Sequence, residues 1–181
     1  MSPEKTPPRL PKTTHLFEIK IMKSLWYYLR VVHPQAFEYS IRDEIGLGIF
    51  AIAKISLRRQ RQLKASARRK YKWMDKLFLE ELDYSITIKL SRRTLMRDGN
   101  KGLPNYAIVA INKYLYEKMM THLSRQIDEL HGKGMEFREA IAFVIENYGL
   151  SEDEVKFETL KKRNYRYRLA NAKLTTRTNP T

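Results

Sequence analysis

Residues 45–76, IGLGIFAIAKISLRRQRQLKASARRKYKWMDK, join an apolar stretch directly to a strongly basic one. Almost every side chain from residue 45 to residue 55 is apolar, which a helix tolerates only when neighbouring elements cover it on several sides. Gly46 and Gly48 remove side chains where a partner helix can approach closely. We therefore predict a central core helix that emerges from the core as a basic segment.

The basic segment, residues 54–76, contains ten Lys and Arg and one acid, Asp75. On a helix, steps of about 100° per residue place most of these cations on one stripe. Like charges three or four positions apart repel each other, so the stripe opposes folding unless an anion offsets it. A nucleic-acid backbone is the anion that we expect, although a solvated helix face is the alternative. The predicted contacts are Lys54, Arg58, Arg59, Arg61, Lys64, Arg68, Arg69 and Lys72.

A second basic segment, residues 161–177, contains seven Lys and Arg and no acid. Since the two segments carry +9 and +7 of a total of +15, the rest of the chain sums to −1. Arg and Tyr alternate in KKRNYRYR, a pattern that suits stacking and backbone contacts with single-stranded or structured RNA. A favourable basic helix C-terminus is the alternative. The predicted contacts are Lys161, Lys162, Arg163, Arg166 and Arg168.

Length and composition favour one soluble domain, or one domain with an appendage. The 181 residues include no Cys, seven Gly and seven Pro, which argues against disulfides and leaves the interior of the chain almost free of helix breakers. The N-terminus lacks the apolar region of a secretory signal. The longest apolar run, residues 45–53, is about half of what a membrane span needs. We expect a cytoplasmic, all-α protein with no membrane partner.

The pattern of elements predicts an antiparallel four-helix bundle with a C-terminal helix-turn-helix-like extension. The expected parts are a disordered arm (1–13), the bundle (14–131), the extension (135–170) and a flexible tail (171–181). The first bundle helix is predicted over 16–32 and ends before Pro34, and Ser40 caps the second. The third helix runs through Trp73, and Pro104 opens the fourth. Residues 84–90 alternate with period two, so we leave 86–92 open between strand and helix.

The extension carries strong local signals. Residues 136–148 have helical spacing, Gly149 fits a C-cap, and Ser151 with Glu154 fits the capping box of a last helix that reaches about Tyr167. A DNA-reading helix normally presents its N-terminal end to the groove. Here Glu152, Asp153 and Glu154 occupy that end and would repel phosphate, so RNA is the preferred partner and DNA the second option.

Motifs for chemistry are scarce. The sequence contains no phosphate loop, zincin motif or dinucleotide fingerprint, and its four His are scattered, so we expect no catalysis, metal or cofactor. Two alternatives are a Mg²⁺ site at Glu80, Glu81 and Asp83, and a tyrosine-recombinase arrangement. The latter would combine His122 and Arg125, spaced as His-x-x-Arg, with Tyr165 or Tyr167 as nucleophile.

The stretch from residue 34 to residue 45, PQAFEYSIRDEI, has a Pro, an aromatic, a Ser, an Ile, an acid and a second Ile in sequence. With this order of residue types, and with Leu103-Pro104 opening a helix, the chain resembles a known family. Residues 13–130 resemble the accessory variability determinant proteins of diversity-generating retroelements. The resemblance implies a four-helix protomer that assembles into a basic, barrel-like pentamer. It also implies binding to a reverse transcriptase and its template RNA in support of mutagenic cDNA synthesis.

The preferred hypothesis is a non-catalytic, homo-oligomeric protein that holds RNA or DNA for a partner enzyme. The alternatives are a sequence-specific DNA-binding regulator that uses residues 136–168 and a structural protein of a phage or mobile element. Steep loss of binding with rising salt is expected for the first.

Overall fold

A computed structural model describes residues 14–34, 38–40, 42–62, 79, 81–91, 103 and 105–178. Helices account for 68% of these residues, so the protein is mostly helical, as the scarcity of breakers indicates. The described elements are, in chain order, β1 (Thr14–Ile21), α1 (Lys23–Val32), β2 (Glu38–Ser40), α2 (Glu44–Gln62), β3 (Tyr84–Ser91), α3 (Asn105–Gly132), α4 (Phe137–Asn147) and α5 (Phe157–Thr178).

A small sheet corrects the expectation of an all-α bundle. Its described strands lie in the order β1-β3-β2, with β1 antiparallel and β2 parallel to β3. The alternating residues 84–90 belong to β3, so this stretch is strand and not helix. The prediction of the first helix was wrong over its N-terminal part, which forms β1. There Ile19 and Ile21 are buried while Glu18 and Lys20 are exposed, and this alternation is the periodicity of a strand. Helix α1 nevertheless ends before Pro34, as predicted.

Helix α3 is the centre of the described core. Its apolar stripe is fully buried against the sheet and the other helices, and this confirms the predicted fourth helix. Helix α2, which was expected to be a central core helix covered on several sides, buries Ile49 and Ala53 but leaves Leu47 55% exposed. The close approach of a partner helix is present at Gly48, where a Cβ would meet Tyr114 of α3. At Gly46 the close neighbour is a strand, since a Cβ there would meet Ser40 of β2.

One buried amide joins the sheet to this helix. The Asn112 side chain of α3 accepts a hydrogen bond from the Met22 backbone N–H and donates one to the Lys20 carbonyl, both at 2.9 Å. These two residues flank the junction between β1 and α1, where the chain leaves the sheet. Asn112 therefore satisfies backbone groups that neither element can pair by itself.

The C-terminal extension follows its local signals closely. Gly149 has φ +60°, and the N–H of Leu150 bonds to the carbonyl of Ile145, which is the expected helix C-cap. The Ser151 N–H donates to the Glu154 carboxylate at 3.0 Å. This capping box forms a separate turn, and α5 begins only at Phe157 and continues to Thr178, beyond the predicted end at Tyr167.

Several predictions fall outside the described residues. They include the arm over residues 1–13, the third bundle helix through Trp73, and the loop before Pro104. The described elements form a mixed arrangement of helices and a sheet and not a clean four-helix bundle.

Candidate nucleic-acid interface

The predicted contacts of the first basic segment divide between two regions. Lys54, Arg58, Arg59 and Arg61 lie on the C-terminal half of α2, after Ala53, a buried residue of that helix. Lys64, Arg68, Arg69 and Lys72 lie outside the described residues. The segment therefore begins as a helix that continues directly from a packed one.

Helix α5 carries the second set of contacts, and its orientation is fixed by its inward face. Leu160 and Asn164 are fully buried against α3. The Asn164 amide nitrogen donates a hydrogen bond of 2.8 Å to the Ser124 carbonyl of α3. Because residues three and four apart share a helix face, positions 161, 162, 165, 166 and 169 turn outward together.

Arg163 is bound to the protein itself. Its guanidinium donates two hydrogen bonds to the Glu117 carboxylate of α3, with Nη2 and Oε1 2.6 Å apart. The hydrogen bond from Arg163 lowers the pKa of Glu117, and the same bond raises the pKa of Arg163. This bidentate geometry holds α5 to α3, so Arg163 has its anion within the fold.

Two more of the predicted contacts have internal partners at the surface. Arg168 lies 3.3 Å from Asp128 of α3, and Lys161 lies 3.8 Å from Glu158 one turn earlier. All four side chains are at least 39% exposed. Exposed pairs contribute roughly 0.2 to 1 kcal/mol, so phosphate can replace either carboxylate at little cost.

Lys162 and Arg166 are exposed and have no carboxylate partner among the described residues. Tyr165 lies between them in sequence and is 64% exposed. These side chains line an open groove of about 950 Å³ together with Leu169, His131 and Phe137. We call it the α5 groove.

The α5 groove combines two properties that single-stranded nucleic acid requires. An exposed tyrosine ring offers a face on which a base can stack, and this is worth about 1 to 3 kcal/mol per base. Uncommitted cations on either side can contact successive phosphates. Sequence reasoning identified the cations and the one tyrosine of the groove, Tyr165, but missed His131, Phe137 and Leu169. Leu169 could have been found, since it follows Tyr165 by one turn.

The surface at the N-terminal end of α5 has more carboxylates than the α5 groove. Glu136, Glu152, Asp153 and Glu158 line one open pocket there, with Lys156 and Lys161 among the basic residues beside them. Duplex reading through this end would bring phosphates to four carboxylates. Of the three acids expected at this end, Glu152 and Asp153 line the pocket ahead of α5, whereas Glu154 is paired with Lys23 of α1.

The recombinase residues are only partly brought together. His122, Arg125 and Tyr167 line one pocket, while Tyr165 lies in the α5 groove. His122 is held by Tyr148, whose hydroxyl oxygen lies 3.1 Å from Nε2, and by Gln126. Of the proposed Mg²⁺ ligands, Glu80 lies outside the described residues, and in the described ranges no three His, Asp or Glu side chains cluster as metal ligands would.

No protein-family model, curated protein or solved structure matches the chain. Within the described ranges, no helix has both the length and the apolar character needed to cross a bilayer.

Proposed function

We propose that the protein is a non-catalytic, cytoplasmic, basic protein that binds nucleic acid, with a preference for single-stranded or structured RNA over DNA. One observation carries this proposal: the exposed Tyr165 lies in a groove between Lys162 and Arg166, which the described carboxylates leave unpaired. A cation without an internal partner, beside an exposed aromatic ring, suits an external polyanion that has flat bases.

The first basic segment supports the same proposal. It supplies +9 of the net charge of +15 and begins on α2. Repulsion along such a segment is relieved when a phosphate backbone neutralises it. We therefore assign phosphate contacts to Lys54, Arg58, Arg59, Arg61, Lys64, Arg68, Arg69 and Lys72, and base stacking with further phosphate contacts to the α5 groove.

The resemblance of residues 13–130 to retroelement accessory proteins extends the proposal to partners. On that basis, the protein is a homo-oligomer, with a pentamer as the expected form, and presents template RNA to a reverse transcriptase. Leu47, which is 55% exposed on the apolar half of α2, suits contact with a second copy. Light scattering would give five times the 21.6 kDa protomer mass for the pentamer.

RNA binding is tested by fluorescence anisotropy with a labelled single-stranded RNA, the matching single-stranded DNA and a duplex DNA. The test variant combines Lys162→Gln with Arg166→Gln. The matched control combines Lys113→Gln with Lys133→Gln. These two lysines are exposed and lie outside the groove, and their replacement removes the same amount of charge. We expect the test variant to weaken RNA binding about tenfold or more, and the control about twofold.

Equal effects of the two double variants would show that net charge alone drives binding and would contradict the groove. Tyr165→Ala tests stacking separately, because it changes no charge. Tight binding to one duplex sequence, lost without residues 134–181, would favour the DNA-binding regulator instead. Affinity purification from the native host, with identification of the co-purified polypeptide, tests the reverse transcriptase as partner.

A further inference from the structure

A second pocket, of about 520 Å³, lies between α1, α3, the start of α2 and Tyr167 of α5. It is separate from the α5 groove, since Tyr167 and Tyr165 project from different sides of α5. Its volume lies within the roughly 300–1,000 Å³ that small-molecule sites occupy. Its inner wall consists of nearly buried side chains from three elements: Tyr28, Leu29, Tyr39 and Leu115.

Aromatic rings dominate this wall. Tyr28 meets the His122 ring edge-on with centroids 5.7 Å apart, and His33 meets Tyr39 in the same way at 6.0 Å. Burial raises the pKa of Tyr28, and raises that of Tyr39 to about 12, so both hydroxyls stay protonated at neutral pH. The wall is therefore uncharged, and the half-buried rings of His33, His122 and Tyr167 in the same pocket present the accessible surfaces that suit a flat heteroaromatic ring.

His122 adds a polar ring atom to the pocket. Its Nε2 lies 3.3 Å from the Gln126 amide nitrogen and 3.1 Å from the Tyr148 hydroxyl, so this nitrogen is engaged within the protein. Among the described groups none pairs with Nδ1, so this nitrogen can bond to a ligand in the pocket.

The outer rim carries both charge signs. Lys118 is bound to Glu44 across the mouth, and Arg125 lies 3.5 Å from Glu129. Lys118 and Arg125 are two turns apart on α3, about 10 Å along its axis, which two long side chains can bridge around one phosphate. Their pairs are exposed, so an incoming anion can compete for both cations. Asp43 and Glu44 would repel a polyanion but can accept hydrogen bonds from amino or hydroxyl groups.

We propose that this pocket binds a nucleoside monophosphate, either free or as the 5′-terminal nucleotide of an RNA. The base lies against the half-buried rings of His33, His122 and Tyr167, the phosphate lies between Lys118 and Arg125, and the amino and ribose hydroxyl groups lie towards Asp43 and Glu44. Each part of such a ligand meets matching chemistry, whereas inorganic phosphate or a plain aromatic ring meets only one part of it. The α5 groove is not required.

The test is titration calorimetry of the full chain with adenosine 5′-monophosphate, adenosine and inorganic phosphate. We expect the monophosphate to bind at least about tenfold more tightly than either fragment, since it alone makes both sets of contacts. Lys118→Ala and Arg125→Ala should each weaken its binding about tenfold, as expected for a charge-assisted hydrogen bond. Lys113→Ala, an exposed lysine five residues before Lys118 on α3, is the matched control and should change nothing.

A 5′-phosphorylated RNA oligonucleotide and its unphosphorylated counterpart distinguish the two sources. Tighter binding of the phosphorylated form, dependent on Lys118, assigns the pocket to an RNA end, and binding of the free monophosphate alone assigns it to a free nucleotide. Circular dichroism confirms that the variants fold. The proposal is overturned if neither ligand binds at millimolar concentration, or if binding persists in Lys118→Ala and Arg125→Ala. It is likewise overturned if ligand shifts NMR signals of Tyr165 and Leu169 and not those of Tyr28 and Tyr39.

Discussion

Asn112 supports two elements at once, because its amide bonds to Lys20 at the end of β1 and to Met22 at the start of α1. Truncation of the side chain would leave a backbone donor and a backbone acceptor without partners in a partly buried site. Unsatisfied groups of this kind cost about 1 to 3 kcal/mol each. We expect Asn112→Ala to lower the free energy of unfolding by about 2 to 4 kcal/mol in urea titrations.

The control for this prediction is Asn147→Ala, at the exposed last residue of α4. Its effect should stay within about 0.5 kcal/mol. Similar free energies of unfolding for the two variants would show that the Asn112 hydrogen bonds contribute little.

His122 makes stability depend on pH. Burial, assisted by the positive charge of Arg125, lowers the pKa of His122 below its ordinary value of 6.5. The unfolded chain therefore binds the proton more readily than the folded chain. The contribution of neutral His122 to the free energy of unfolding is fully present above pH 6.5 and decreases as the pH falls below it. Between about pH 7.5 and about pH 5.5, the urea midpoint should fall more in the native protein than in His122→Gln. Parallel curves for the two proteins would refute this assignment.

Arg163 shows how far local sequence can identify a binding residue. It lies in a run of cations, and from the sequence it is equivalent to Lys162 and Arg166. Its partner Glu117 lies 46 residues earlier, and only the packing of α5 on α3 brings the two together. The sequence could therefore predict a basic segment but not which of its cations are already paired.

At the scale of elements, signals confined to a few neighbouring residues were reliable. The C-cap at Gly149 is formed as predicted, whereas Ser151 and Glu154 close a separate turn ahead of α5 and do not cap that helix. The stripe of α3 is long enough to be unambiguous. The sheet was not predicted, because its strands β1 and β3 are far apart in sequence, with Ile19 opposite Ile86. The spacing of Ile19, Met22 and Leu25 also fits a helix, and only the paired strand decides between the two.

The contact between α2 and β2 depends on Gly46. A Cβ at this position would lie 1.9 Å from the Ser40 carbonyl oxygen, and backbone cannot move aside as a flexible side chain can. We expect Gly46→Ala to lower the free energy of unfolding by about 2 to 3 kcal/mol or more, as in overpacked cores. Thermal and urea unfolding measure the loss.

Gly132→Ala is the matched control, because it makes the same change at a helical glycine with nothing within 4 Å of the new Cβ. It should be neutral or stabilising by up to about 1 kcal/mol through helix propensity. A neutral Gly46→Ala would mean that β2 does not pack on α2 as closely as the structure indicates.

On the scale of the whole molecule, positive charge is segregated and not spread evenly. The two basic segments carry all of the excess, and the remainder of the chain is close to neutral. Helix α5 presents one segment on a packed scaffold, where Arg163 and Arg168 serve contacts with α3, whereas the other begins on α2 directly after the buried Ala53. Two cationic segments on different helices suit one extended polyanion better than a small anionic ligand.

This arrangement predicts how salt acts on RNA binding. Each phosphate contact on a single strand adds about 0.7 to the slope of log affinity against log salt concentration, through counterion release. Replacement of Lys162 and Arg166 by neutral Gln should therefore reduce the slope by about 1.4. Replacement of Arg58, Arg61, Arg68 and Lys72 by Gln should reduce the slope by about 2.8. The pair Lys113→Gln and Lys133→Gln should leave it unchanged, because contacts and not net charge set the slope. Anisotropy titrations between about 50 and 200 mM salt measure it. If all three sets changed the slope in proportion to the charge removed, the cations would act as a diffuse field, and neither segment would be a defined contact surface.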